Sequence, residues 1–375
     1  MRFMKNPFVC GQIVSGASFA DRKGEIREIS NDLKNGRNVL IYSPRQYGKT
    51  SLILEVLSSL REGGLLTMYL NFFPLVTKKK FAEALTASIA RGTATKLEEM
   101  IRTIKEIISL TPKIVVRKEG LEAEIELGLK RKDVDRVLDE LYDAPQRIAK
   151  KRGKRVIVVF DEFQEIRNLD GDEIERSMRT KFQHHDSVTY VFMGSRRHLL
   201  RQIFTSKARP LYNIAKEYPL GKIPRDDFSK FIIEKFSNGG FRMEKACVEK
   251  ILDTTDCHPA YTQQLCYEIW ELCANKKVVA EDVDAAVERV ITLNSRAYAE
   301  IWGSLRGGQR AVLVALAKGD GEIYSSEFIE EHDLGYPQRV RKVLKSLETK
   351  ELIEKNQKWE ITDVFFKEWL KRLSG

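Results

Sequence analysis

The segment that most constrains the fold is residues 38–57, with the sequence NVLIYSPRQYGKTSLILEVL. It predicts an apolar strand, a polar loop and an amphipathic helix in that order. The loop ends in Gly48, Lys49 and Thr50, which match the end of the phosphate-loop template GxxxxGKS/T. Ser43 stands where the template has its first glycine, and serine tolerates a positive φ less well than glycine does. The strand before the loop and the helix after it are the context that this template requires.

The chemistry of a phosphate loop explains these residue types. Its backbone N–H groups turn inward around the phosphates, a lysine reaches the β and γ oxygens, and a hydroxyl binds Mg²⁺. The helix that follows adds the positive end of its dipole. We therefore expect ATP or ADP, with Mg²⁺, at this loop. The residues expected to contact the nucleotide here are Pro44, Arg45, Gln46, Tyr47, Gly48, Lys49, Thr50 and Ser51.

A second chemical element follows the apolar run in RVIVVFDEFQEI. Phosphate-loop ATPases present a Mg²⁺-associated aspartate at the end of such a strand, so Asp161 and Thr50 are the predicted metal ligands. The adjacent Glu162 is the predicted catalytic base, because a glutamate there can polarise the attacking water. A solvated acidic strand end is the alternative, which the accompanying phosphate loop disfavours.

Two further candidates for catalysis lie beyond this strand. The strand in VTYVFMGSRRHLL ends at Ser195, which would lie near the γ-phosphate if this strand runs between the other two. Arg209, in KARPLYN, is a candidate for stabilising charge in the transition state. The proline and apolar residues beside Arg209 leave packing as its alternative role.

The pattern of strands and helices divides the chain into three predicted domains. Residues 1–222 alternate strands with helical stretches, which predicts an α/β layered domain with a parallel sheet. Residues 93–136, with a charged helical stretch and a hairpin turning near Glu119 and Gly120, form a predicted insertion. Residues 223–302 predict helices without strands. The candidate strands are residues 38–42, 65–72, 156–160, 188–193 and about 217–220.

Residues 303–375 predict three helices followed by a hairpin that turns at Asn356 and Gln357, which is the winged-helix pattern. This region holds 13 Lys and Arg against 12 Asp and Glu, so its bulk charge would not attract DNA. The third helix of this region differs in its charge distribution. One stripe of apolar residues faces the core, so several polar and basic side chains face outward. Whether that face enters a DNA groove or is simply a solvated basic helix stays open. The stripe is Val340, Val343, Leu344 and Leu347, and the outward residues are Gln338, Arg341, Lys342 and Lys345.

The composition limits which cellular compartment and which classes of partner we expect. The chain has no apolar run near the ~20 residues of a membrane helix and no evident secretion signal, so we expect no membrane association. Five cysteines without a CxxC pair argue against disulfides and zinc, and a reducing cytoplasm is the expected location. The net charge of +10 suits a polyanionic partner, although solvated lysines explain it equally well.

Several motifs lie along the chain: NPF, FADRKGE, PRQYGKTSL, FDEFQEI, VFMGSRRHLL, HPAYTQQLC and EITDVFFKEWL. Together they resemble the archaeal and bacterial ATPase family of the AAA+/STAND group of phosphate-loop ATPases. The resemblance implies a five-stranded ATPase core, a helical lid and a winged helix. It also implies that Arg22, His258 and Pro259 lie near the nucleotide, although a helix-start role for His258 stays open. Asp21 stands where the family has a glycine.

Three functions are consistent with these features. The first is a slow, Mg²⁺-dependent ATPase that acts as a conformational switch. The second is an ATP-gated protein that binds or remodels DNA through its winged helix. The third, a nucleotide kinase, is disfavoured because a glutamate directly after the strand-end aspartate suits water activation. A protein partner or a homo-oligomer is compatible with the first two.

Overall fold

The computed structural model describes residues 5–14, 16, 19–20, 22–94, 96–109, 114–119, 122–273, 275–319, 323–355 and 358–373. Asp21, Gly120 and the predicted turn at Asn356 and Gln357 lie outside the described residues. The chain divides into two compact units, Ile13–Lys222 and Met1–Gln12 with Ile223–Gly375. The finer division into core, lid and winged helix at residues 222 and 302 stays a prediction.

The first unit alternates helices and strands along the chain, as the sequence pattern predicts. Its elements are α1 (Lys23–Lys34), β1 (Val39–Tyr42), α2 (Lys49–Glu62), β2 (Leu66–Asn71), α3 (Lys78–Thr93), α4 (Leu97–Ile107), β3 (Ile114–Glu119), β4 (Glu122–Leu127), α5 (Val134–Arg152), β5 (Val156–Asp161), α6 (Gly171–Phe182), β6 (Val188–Gly194), α7 (Arg197–Thr205) and β7 (Lys216–Pro219).

Five of these strands form one parallel sheet in the order β2-β5-β6-β1-β7, which confirms the predicted fold class. Strands β1, β5 and β6 are buried along their whole length, because apolar cores cover both faces of the sheet. Alternate residues of β5 enter different cores: Val158 lies in one, and Ile157 and Val159 lie in the other. A central parallel strand therefore needs apolar residues at every position.

The order of the strands brings three loops to one edge of the sheet. Strand β6 pairs with both β1 and β5, so it lies between the phosphate-loop strand and the strand that ends at Asp161, which is the condition on which the expected position of Ser195 depended. The carboxyl ends of parallel strands meet at one edge, where open α/β sheets bind ligands. The loop of residues 43–48 follows β1, Asp161 ends β5 with Glu162 directly after it, and Ser195 follows β6.

The region of the predicted insertion holds α4 and the antiparallel strands β3 and β4. Ile114 pairs with Leu127 at one end and Glu119 with Glu122 at the other, so the strands flank the predicted turn. The buried carboxylate of Glu83 on α3 accepts the backbone N–H of Leu127 at 3.1 Å. This bond attaches the hairpin to the helix beside the sheet.

The second unit is mainly helical, but the prediction of no strands in residues 223–302 is wrong. Two parallel strands of two residues each pair Arg242 with Lys277 and Met243 with Val278. Such short strands carry no alternating pattern in the sequence. The elements are α8 (Arg225–Asn238), β8 (Arg242–Met243), α9 (Lys245–Thr255), α10 (Pro259–Leu272), β9 (Lys277–Val278), α11 (Ala280–Gly303), α12 (Gly307–Lys318), α13 (Ser326–Glu331), α14 (Pro337–Thr349), β10 (Ile353–Lys355), β11 (Trp359–Ile361) and α15 (Val364–Leu373).

The N-terminal segment belongs to this second unit rather than to the α/β unit in which the sequence analysis placed it. Phe8 is buried, and its ring centroid lies 5.0 Å from that of Phe236 and 6.3 Å from that of Trp270. The side chain of Asn6 donates to the backbone oxygen of Tyr267 at 3.2 Å. Burial of one aromatic ring among others explains why the segment packs there.

Helices α12, α13 and α14 and the antiparallel pair β10–β11 form the predicted winged-helix pattern. Helix α15 follows the hairpin, and the carboxylate of Asp363 accepts the first backbone N–H groups of this helix from Phe365 and Phe366. Burial raises the pKa of Asp363, and Tyr298 on α11 donates to it at 3.2 Å. In the described part of the chain, no helix has the length and hydropathy to span a membrane.

Candidate active site

The loop between β1 and α2 contains two residues in left-handed backbone conformations. Gln46 has φ +64° and Gly48 has φ +81°. A Cβ atom at Gly48 would meet nothing within 4 Å, so the glycine is favoured by its backbone angle and not by lack of space. Left-handed residues in such a loop turn successive N–H groups to one side and create an anion-binding concavity.

Ser43, at the first glycine position of the template, does not have a positive φ. It is fully buried, and its hydroxyl donates to the backbone oxygen of Pro44 at 3.2 Å. The strain expected for a serine with a positive φ is therefore absent. Gln46 and Gly48 supply the left-handed angles of the loop instead.

Lys49 is the first residue of α2 and is buried. Its ammonium group donates to the backbone oxygens of Ser43 at 3.0 Å and Pro44 at 2.9 Å. Helix α2 has no acidic residue in its first turn, so no carboxylate there competes for the positive end of the helix dipole. A buried cation and an open helix N-terminus at one loop favour an anionic ligand.

Thr50 and Asp161 meet across the sheet edge, as their predicted shared role requires. The hydroxyl of Thr50 donates to Oδ2 of Asp161 at 3.0 Å. Tyr69 on β2 donates its hydroxyl to the same carboxylate oxygen at 2.5 Å. Burial raises the pKa of Asp161 despite these donors, and burial together with the charge of Asp161 raises the pKa of Tyr69.

Glu162 has φ +48°, a left-handed angle that is unfavourable for a residue with a side chain. Its Oε2 atom accepts the hydroxyl of Ser195 at 2.9 Å and the backbone N–H of Ser195 at 3.3 Å. Gln164 donates to this same oxygen at 2.5 Å. The structure therefore brings the predicted base and Ser195 into direct contact.

Arg22 lies against the phosphate loop. Its guanidinium donates to the backbone oxygen of Tyr47 at 3.2 Å and to that of Gly221 at 2.9 Å, and it pairs with Glu25 at 2.9 Å. Burial lowers the pKa of Arg22, an effect that Glu25 opposes. Ser51 also has a backbone partner, since its hydroxyl accepts the N–H of Val14 at 3.1 Å.

Three more of the predicted residues contact, or belong to, neighbouring helices. Arg209 donates to Oε2 of Glu175 at 3.2 Å and also pairs with Asp172, both on α6. His258 is buried in the second unit as the residue preceding α10, with its ring centroid 4.2 Å from that of Tyr261, and Pro259 is the first residue of that helix. The roles predicted for Arg209, His258 and Pro259 at the nucleotide stay predictions.

Tyr69 and Gln164 are two residues of this site that were not predicted from the sequence. Tyr69 carries a polar hydroxyl within the apolar strand LTMYLN, two residues before its end. Gln164 follows the acidic pair in DEFQ and is 3% exposed. A polar side chain among apolar neighbours, close to the end of a strand of the sheet, is the signal that could have identified both.

Comparison with known proteins shows the family of this chain. The model for the ATPase domain predominantly from Archaea matches residues 19–265, and that for a probable winged helix domain matches residues 296–372. A Walker-type ATPase of Pyrococcus abyssi is similar in structure, with a TM-score of 0.64 and 18% identity over 94% of this chain and 96% of that chain. No curated protein matches.

Two further solved structures are less similar. The Aeropyrum pernix ORC1 protein in complex with DNA has a TM-score of 0.49 and 16% identity over 94% of this chain and 92% of that one. The Thermotoga maritima RuvB Holliday junction branch migration motor has a TM-score of 0.46 and 14% identity over 95% of this chain and 96% of that one. The archaeal ATPase model spans well over half of the chain. The protein therefore belongs to the family of ATPase domains predominantly from Archaea, carries a C-terminal winged helix, and is an ATP-binding enzyme that hydrolyses ATP.

Proposed function

We propose that this ATPase requires Mg²⁺ and turns over slowly, as a conformational switch. The observation that carries the proposal is the meeting of Thr50, Asp161 and Glu162 beside the phosphate loop. Thr50 and Asp161 offer oxygen ligands, and Glu162 follows directly on the backbone with its N–H bonded to Asp161 at 2.8 Å. One edge of the sheet thus brings together the oxygen donors and the adjacent carboxylate that the proposed chemistry needs.

The donors at this edge suit Mg²⁺. This ion prefers oxygen ligands, keeps several waters and binds through one or two protein groups together with substrate phosphates. In the part of the chain that the structure describes, no cluster of three His, Cys, Asp or Glu side chains could hold a metal by itself. The hydroxyl of Thr50 and the carboxylate of Asp161 would hold the ion, which would neutralise charge on the phosphates when bound.

Glu162 is proposed to accept a proton from the water that attacks the γ-phosphorus, and the bond to the β–γ bridging oxygen breaks to release ADP and phosphate. Lys49 would hold the β and γ oxygens. In the structure its ammonium bonds to carbonyl oxygens of the loop itself. Triphosphate oxygens would compete for that ammonium, so binding would change the contacts of the loop, as a switch requires.

The contacts of Arg209 support a slow rate. A charge-stabilising arginine raises turnover in related phosphoryl transfers by ~10³–10⁵. In the structure Arg209 is paired with the carboxylates of Glu175 and Asp172, so it would have to leave them before it could stabilise charge at the nucleotide. Mass measurement with and without ATP distinguishes the models: a monomer that retains ADP fits the switch, whereas a ring that forms on ATP addition contradicts it and favours a remodelling ATPase.

Removal of Mg²⁺ tests the proposal. We expect phosphate release from ATP to stop in excess chelator and to return when Mg²⁺ is added. Thr50→Val, which keeps the shape but removes the hydroxyl, should require far more Mg²⁺, whereas the control Thr50→Ser should stay close to wild type. Full turnover in chelator would contradict the metal requirement.

A second candidate function, ATP-gated DNA binding, is favoured by the surface of α14. Val340, Leu344 and Leu347 are buried in the domain, and Val343 is half-buried. The opposite face is therefore exposed and carries a polar group and three positive charges. This face comprises Gln338, Arg341, Lys342 and Lys345.

DNA binding by this face would be sensitive to salt. Lys342→Ala and Lys345→Ala should each weaken binding about equally on all sequences and lower the slope of log affinity against log salt by about one. Titration of labelled duplex DNA at several salt concentrations measures both. Lys350→Ala, at the end of the same helix, is the control. Binding that does not depend on salt, or no binding at ~50 mM salt, would count against this function.

A further inference from the structure

Gln164 lies beside the proposed catalytic base but has no role in the steps described above. It is the second residue of the 3₁₀ helix Phe163–Leu169, and this helix begins directly after Glu162. Its Nε2 atom donates to Oε2 of Glu162 at 2.5 Å. The hydroxyl and backbone N–H of Ser195 donate to the same oxygen at 2.9 Å and 3.3 Å. Three donors from two strand ends therefore converge on one carboxylate oxygen.

This convergence makes the two oxygens of Glu162 unequal. Among the residues that the structure describes, no donor contacts Oε1 of Glu162. Bonds from two directions to Oε2 fix the plane of the carboxylate, because rotation would break at least one of them. Oε1 is the oxygen left to accept a proton.

The orientation of Gln164 is itself fixed. Reversal of its amide would place an amide oxygen against the carboxylate oxygen, so Nε2 must face Glu162. The amide oxygen then points to Gly194, where a Cβ atom would lie only 2.0 Å from it. Within the described residues this oxygen is buried and has no hydrogen-bond donor. The glycine at the end of β6 thus provides the space that the amide occupies.

A buried acceptor without a donor is unfavourable for folding and calls for an explanation. An apolar side chain of the same shape would fill this space without that penalty. It would, however, lose the bond to Glu162. The amide of Gln164 therefore holds Glu162 in place, although its unpaired oxygen lowers the free energy of unfolding.

We propose that Gln164 is a positioning residue that holds Glu162 with Oε1 turned towards the attacking water. The proposal rests on the proposed role of Glu162 as the base. Gln164 acts through Glu162 and not on the nucleotide, so it should affect the chemical step and leave ATP binding unchanged.

The first test is Gln164→Met, which keeps the length of the side chain and removes both the donor and the orphaned oxygen. We expect kcat to fall about 10- to 100-fold, as misplacement of a catalytic group does. KM for ATP and the affinity for a non-hydrolysable ATP analogue should stay within about twofold. The thermal midpoint should not fall. Unchanged or increased kcat would overturn the proposal, and so would a loss of analogue affinity.

A double-mutant cycle with Glu162→Gln shows whether Gln164 acts through Glu162. If it does, Gln164→Met should lower the residual turnover of Glu162→Gln by no more than about twofold. The same fold loss in both backgrounds would overturn the proposal while leaving Glu162 as the base. Wild-type turnover in Glu162→Gln alone would instead overturn the function on which the proposal rests.

Gly194→Ala removes the same bond from the other side. The new Cβ atom would displace the amide at the flexible end of the Gln164 side chain. The φ of residue 194 is not left-handed. We expect a loss of kcat similar to that of Gln164→Met, and little further loss when Gly194→Ala is added to Gln164→Ala, whose short side chain leaves room for the new methyl group. Full additivity of the two losses would contradict the steric relation between these residues.

Discussion

Glu162→Gln is expected to lower ATP turnover by ~10²–10⁴, the usual contribution of a general base, while ATP still binds. Glutamine keeps the size of the side chain but cannot accept a proton from water. The bond from the hydroxyl of Ser195 can persist to the amide oxygen, so the site should keep its shape. Steady-state phosphate release and equilibrium binding of an ATP analogue separate the two effects.

The matched control for this variant is Glu62→Gln, which makes the same change on an exposed residue at the end of α2. It should turn over ATP at the wild-type rate. If Glu162→Gln also kept wild-type turnover, Glu162 would be structural and another group would orient the water.

Lys49→Ala is expected to abolish ATP binding at accessible concentrations. Each charge-assisted hydrogen bond from the ammonium to phosphate contributes ~1.5–3 kcal/mol, so loss of two bonds would weaken binding by roughly 10²–10⁴. Calorimetry or fluorescence titration with a labelled ATP analogue measures the affinity.

Lys34→Ala removes the same charge from an exposed position at the end of α1 and serves as the control. A thermal midpoint for Lys49→Ala near that of wild type shows that the loss is not due to unfolding. Nucleotide affinity equal to that of the control would exclude the loop of residues 43–50 as the phosphate site.

Much of the α/β unit could be predicted because its pattern is local. The run VIVVF is apolar at every position, as a strand covered on both faces requires, and β5 is buried on both faces. The order strand, loop, helix around Gly48 located the phosphate loop. The expected position of Ser195 depended on its strand running between the other two, and β6 does lie between β1 and β5.

The contacts that the sequence did not reveal join residues far apart in the chain. Tyr69 reaches Asp161 because β2 pairs with β5, a relation that no local pattern encodes. Gln164 depends on Gly194, because a Cβ at that position would occupy the place of its amide. The ion pairs of Arg209 with α6 are likewise visible only once the helix is placed.

The measurement that tests the central claim most directly is the identity of the nucleotide held after a single turnover. Wild type and Glu162→Gln are each mixed with Mg²⁺ and with slightly less ATP than protein. Samples are quenched over time, and the nucleotide that the protein held is separated and quantified. If Thr50, Asp161 and Glu162 form the hydrolytic site, wild type should hold ADP while Glu162→Gln still holds intact ATP. Equal conversion to ADP by both proteins would contradict the account.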